Sequence, residues 1–228
     1  MFTGFSDATV DFLWGIRFNN EKPWFEEHKS IYLNELYNPL RELGGEMFDF
    51  ITEKRPYYGL VLRVARIYRD ARRLHGRGPY KDNLWFSIER PAELWSANTC
   101  FWFGIHPEYW SYGMGYWMPK PATMAALRRR IDADPKTMEA MMQSLAAQNE
   151  FTLETEQYKK PRSAPPSPMV APWYSAKNFS LGHQEPWSDT ICSRDVVERM
   201  KQGFEWLLPW YDYFVTLEGE EVPAPPMG

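Results

Sequence analysis

The chain has 228 residues, 44% of them hydrophobic, and a formal net charge of -4; it is long enough to bury a sizeable core and too apolar to be disordered over most of its length. No apolar run approaches the roughly 18 to 20 residues that a helix crossing a bilayer needs, so no membrane-spanning helix is expected. The acidic balance weakens any broad electrostatic footprint for nucleic acid.

Aromatic residues reach 17%, with 11 Trp, 13 Tyr and 14 Phe. Side chains of this kind fill cores, and they also make stacking platforms for ligands. The amino-terminal stretch MFTGFSDATVDFLW lacks a basic region and carries Asp7 and Asp11, so it does not read as a signal peptide. Cys100 and Cys192 stand far apart with no CxxC pair. That pattern suits two buried thiols in a reducing compartment, with a single disulfide between them as the alternative. The expected location is the cytoplasm.

Ser6 reads as an N-cap for a first helix with Val10, Leu13, Trp14 and Phe18 on one face. Pro23 opens a second helix whose stripe is Trp24, Phe25, Ile31, Tyr32 and Leu36. Pro39 is expected to break or kink it, with a third helical segment running to about Thr52. From Leu60 the period changes to two. Strands are predicted over 60–69, 84–90, 99–106 and 109–118. Both faces of the third strand are apolar, and Gly113 and Gly115 in the fourth leave room for a bulge, a ligand or another backbone.

Two helices follow, over 121–132 and 135–148, the second capped by Asp134 with Pro135 in its first turn. Residues 151–156 read as a strand, and the Pro-rich 159–172 as a surface loop. A last helix spans 193–215 with Pro209 inside it. The expectation is one α+β domain over residues 1–215, an antiparallel sheet of about four to six strands packed by amino-terminal and central helices, with 216–228 a flexible tail.

Four stretches in sequence order carry a resemblance: FTGFS (2–6), NNEKPWFEEHKSIY (19–32), RIYRDARRLHGRGPYKDN (66–83) and GYWMPKPATMAALRRRI (115–131). Together they resemble the domain of unknown function 2461 family, over nearly the whole chain from Phe2 to about Leu208. The resemblance implies an α+β fold and brings no established activity. Arg69, Asp70, Arg72, Pro79, Tyr80 and Lys81 match the family's central motif. Arg73-Leu74 and Gly76-Arg77 depart from it, as does PRSAPPSP, while Lys177 and Phe179 remain.

The chemistry concentrates in that central motif. Seven Lys or Arg lie between Arg63 and Lys81 against one acid, Asp70. Extended backbone puts Arg66, Tyr68, Asp70 and Arg72 on one face, with Arg63 and Arg69 on the other. Guanidinium groups at a sheet end, joined by Lys81, make a clamp for phosphate, carboxylate or sulfate. The expected ligand-binding residues are Arg66, Arg69, Arg72, Tyr80, Lys81 and Trp117, with Tyr80 and Trp117 as walls. Asp70 and His75 are the candidates for proton transfer.

A competing reading makes the same cations an ion-pair lattice of little energetic weight. His28 is expected to be half-buried, and His106 and His183 have no partner at metal-ligand spacing. The sequence LRRRI (127–131) reads as the wet side of its helix. No metal or cofactor is expected. The function expected is binding of a small anionic molecule, as an enzyme or as a binding protein. The alternative is a non-catalytic interaction protein that docks a partner through an aromatic surface. Nucleic acid is the less favoured partner.

Overall fold

The computed structural model describes residues 1–70, 72, 74, 76–91 and 98–217. The first helix, α1 (Asp7–Phe18), starts after Ser6, whose backbone N–H donates to Thr9 Oγ1 at 3.2 Å. Helix α2 (Lys22–Ile31) carries Pro23 in its first turn, where a missing N–H leaves no bond unmade. Pro39 does not end the run. A π-helical segment, Tyr32–Tyr37, joins α2 to α3 (Asn38–Lys54), and Asn38 N–H donates five residues back to Leu33. The wider turn accommodates the proline without a break.

The strands are β1 (Val61–Val64), β2 (Leu84–Glu89), β3 (Thr99–Ile105), β4 (Tyr109–Tyr116), β5 (Thr152–Glu154) and β6 (Phe179–Pro186). They form one antiparallel sheet in the order β1-β2-β3-β4-β6-β5. The first strand is shorter than expected, and β6 lies in a region read only as following a loop. Between the strands come α4 (Pro121–Ala133), α5 (Pro135–Ala146) and α6 (Ala171–Ser175), and α7 (Asp195–Phe214) passes through Pro209. Asp134 caps α5 as expected, with Oδ2 accepting from the Thr137 hydroxyl at 2.6 Å.

One sheet face carries Phe86, Phe101, Phe103 and Tyr112 against α3 and α7. Phe101 stacks 4.7 Å from Tyr211, and Phe204 meets both Phe101 and Tyr112. Large side chains from Phe2 to Leu217 form one continuous buried cluster. At the sheet centre a Cβ on Gly113 would lie 2.1 Å from the Leu181 carbonyl oxygen, and one on Gly115 would lie 2.3 Å from that of Phe179. The glycines admit the neighbouring backbone, one of the three uses expected for them.

Both cysteines are free thiols. Cys100 is buried and Cys192 exposed, which corrects the expectation of two buried thiols. No helix among the described residues is long and apolar enough to cross a membrane. Thr216 and Leu217 of the expected tail are docked, with Leu217 buried and the Thr216 carbonyl accepting from Arg130 at 3.0 Å. Residues 218–228 lie outside the described residues.

Candidate functional site

After β1 the chain leaves the sheet and folds back on itself before entering β2. Ala65 N–H still donates to Trp85 at 2.8 Å. Beyond it, Lys81 N–H donates to the Ile67 carbonyl at 2.7 Å and Arg69 N–H to that of Pro79 at 2.8 Å, with Tyr68 opposite Tyr80. Ile67 and Tyr80 are buried, and Tyr80 stacks 4.3 Å from Phe25 of α2. Asn20, just past α1, holds the returning arm. Its side-chain amide accepts from Tyr80 N–H and donates to Tyr80 O, both at 2.9 Å. Gly78 leaves room for that amide, because a Cβ there would lie 2.2 Å from Asn20 Oδ1.

The cations of this excursion divide into two groups. Arg69 Nε donates to the Tyr80 carbonyl at 2.6 Å, and its Nη2 lies 3.3 Å from Asp82. Asp82 is shared with Arg17 at 2.6 Å, and Arg17 also grips Glu108. Burial pushes the Asp82 carboxyl up, but Arg17 and Arg69 outweigh it and hold it below the usual carboxylate range. Arg63 pairs with the buried Glu89 at 2.7 Å, and Arg72 pairs with Asp70 at 2.8 Å on an open surface where solvent screens the pair.

Lys81 behaves differently. Its half-buried ammonium donates to the Arg66 carbonyl and sits 4.7 Å over the Trp85 ring. Burial lowers its pKa, and the nearby Arg69 and Arg66 lower it further. Among the described residues, no carboxylate pairs with Lys81, nor with the exposed Arg66.

The structure therefore brings Arg66, Arg69 and Lys81 together. Tyr80 lies beneath them as part of the buried frame. Asp70 and Arg72 form their own surface pair, because the extended backbone expected to run to residue 72 does not continue as a strand past Val64. Trp117 is elsewhere. Leu84 pairs with Ile105, and Thr99, at the other end of β3, pairs with Tyr116. At about 3.3 Å per residue Trp117 lies about 20 Å away along the sheet, and it is exposed there. His75 and Arg73 fall outside the described residues.

A second polar network escaped the sequence reading. Arg199 of α7 holds Glu150 with two bonds, at 2.9 and 3.1 Å, and Glu185 at 2.8 Å. The Tyr112 hydroxyl donates to Glu150 at 2.5 Å. His183 Nδ1 lies 2.9 Å from the Glu150 carbonyl oxygen, and its Nε2 lies 3.1 Å from Arg199 Nη2 and 3.2 Å from Glu185 Oε2. Burial raises the Glu150 carboxyl, yet Arg199, Tyr112 and His183 together hold it below its ordinary value. The signal available was His183-x-Glu185, one face of a strand, but the strand itself was not recognised. No group of three or more His, Cys, Asp or Glu among the described residues is arranged to hold a metal ion.

None of the curated proteins compared with the chain matches it. Among protein families, residues 8–213 match the one described as conserved hypothetical protein (DUF2461). That span takes in the α1–α3 helical run, the excursion, the whole sheet and nearly all of α7, so the chain belongs to the DUF2461 family.

Proposed function

We propose that the protein binds a small anionic molecule, bearing phosphate or carboxylate, at the excursion between β1 and β2. Lys81 and Arg66 make the primary contacts and Arg69 borders them. One observation carries the reading: a half-buried ammonium, beside two guanidiniums, that has a carbonyl and a ring face as partners and, among the described residues, no carboxylate. Holding like charges together in that way is unfavourable in the empty protein and becomes favourable when an anion arrives. Residues 1–215 act as one unit in this reading, in the cytoplasm, where free thiols persist.

Docking of a partner through aromatic residues has less support. Phe18 and Tyr68 are exposed near the excursion, whereas Trp117 and Met118 are exposed at the far end of the sheet. They share no face.

The test is a titration with inorganic phosphate and with citrate, followed through the backbone amide shifts of residues 66–82. Saturable shifts are expected in the wild type and in Arg72→Gln, and their loss in Lys81→Met and Arg66→Gln. Shifts of equal size in all four proteins, or in none, would overturn the assignment.

A further inference from the structure

At the opposite end of the sheet, α4 and the segment around Tyr158 border an open cleft of about 480 Å³ lined by Ala125, Arg128, Arg129, Asp132, Tyr158 and Arg162 among others. The segment is pinned in place: Tyr158 N–H donates to Ser175 at 2.7 Å and Arg162 N–H to Tyr174 at 3.1 Å. This fixes the Tyr158 ring as a floor for charge. The Arg162 guanidinium lies 3.9 Å over it and the Lys177 ammonium 5.5 Å from its centre.

The charges in the cleft do not cancel. Arg128 is partly buried, and its single hydrogen bond is a long one, 3.4 Å, to the Ala176 carbonyl. Arg128 and Arg162 line the same cleft; burial lowers the Arg128 pKa, Tyr158 opposes that, and the Arg162 charge lowers it further. Arg129 is exposed and, among the described residues, has no carboxylate partner. The lining acid, Asp132, already accepts from the Tyr174 hydroxyl at 2.5 Å. A merely solvated helix face would let such cations spread apart. Here the 158–162 segment lines the same cleft as α4, which adds Arg162 to Arg128 and Arg129.

We propose that this cleft binds a small phosphorylated molecule, its phosphate held by Arg128, Arg129 and Arg162. The lining guanidiniums and carboxylate sum to about +2 and Lys177 beside the Tyr158 ring adds to it, an excess that a phosphate monoester, at about -1.5 to -2 near neutral pH, answers better than a single carboxylate does. The planar forks of arginine suit the tetrahedral oxyanion. This site is separate from the Lys81 site and does not depend on it.

Phenyl phosphate, with benzoate as its single-carboxylate counterpart, tests the assignment by calorimetry and by the amide shifts of residues 125–132 and 158–163. Expected are saturable shifts in both of those stretches, titrating separately from residues 66–82, and, read from those stretches, at least about tenfold tighter binding of phenyl phosphate than of benzoate. Arg129→Gln and Arg162→Gln should each weaken it by about tenfold, the loss of one charge-assisted contact. Arg129 is exposed, so its variant keeps the fold, and melting temperature verifies this. Benzoate shifting residues 125–132 and 158–163 as tightly as phenyl phosphate, an affinity there indifferent to both Arg variants, or no shift in those two stretches would overturn the proposal, whereas the Lys81 site is read separately from residues 66–82.

Discussion

Asn20 and Tyr80, sixty residues apart, pair side chain to backbone in both directions at 2.9 Å, so that Asn20 acts as a one-residue strand for the returning arm of the excursion. Replacing Asn20 by Gly should cost about 2 kcal/mol, two hydrogen bonds at about 1 kcal/mol each. Thermal unfolding would shift down by several degrees. Gly78→Ala should also destabilise, because its Cβ would meet Asn20 Oδ1 at 2.2 Å. A double-mutant cycle reads the link: Gly78→Ala should cost less in the Asn20→Gly background than in the wild type. Simple additivity would show that the two residues do not share this contact.

Two glycines should respond in opposite senses. Gly113→Ala places a methyl group 2.1 Å from a backbone oxygen of β6, and neither strand can yield without losing its pairing. A loss of about 3 kcal/mol is expected, the upper part of the overpacking range. Gly45 lies inside α3 with nothing within 4 Å of a Cβ. Gly45→Ala should stabilise by about 0.5 to 1 kcal/mol. Denaturant midpoints measured side by side decide both.

The Glu150 carboxyl gives stability a pH dependence whose sign is fixed. Its folded pKa is depressed, so its contribution is complete above the unfolded value of about 4.3 and fades as pH falls through the folded value. Glu150→Gln should therefore be less stable than the wild type at neutral pH. The gap should narrow as the solution is acidified through the carboxylate range. A gap constant over that range would remove Glu150 from the account.

Thiol labelling separates the two cysteines. Cys192 is exposed, although burial of its sulfur and the charges of Asp7 and Asp189 raise its pKa. Cys100 is buried, and that burial together with Glu89 raises its pKa far more strongly. An aromatic disulfide reagent should titrate one thiol in the native protein, faster as pH rises, and two in denaturant. Two fast thiols in the native state would contradict the packing around Cys100.

The helices and the central strands were legible because their signals are local. Asp134 followed by Pro135 marks a helix start wherever it lies, and the alternation of Phe101, Phe103 and Ile105 survives in β3. Strand β6 was not legible. Only its first half faces the core, and its second half, His183 to Pro186, carries polar groups that serve Arg199 or solvent. The cations of the excursion were visible as a cluster, but their partners were not. Arg17, Asp82 and Glu108 come together only once the end of α1, the returning arm and the β3–β4 turn meet. For the same reason LRRRI looked like a solvated face. The helix reads correctly, but nothing near Arg128 in sequence announces that Tyr158 and Arg162 will line a cleft with it.

The outermost strands are the shortest, β1 with four residues and β5 with three. An unpaired edge is where one chain's backbone recruits another's, and each of these borders offers only a few free amide and carbonyl groups in line. A sheet this rich in aromatic residues is thus closed to extension at both margins by brevity, with no need for a covering element.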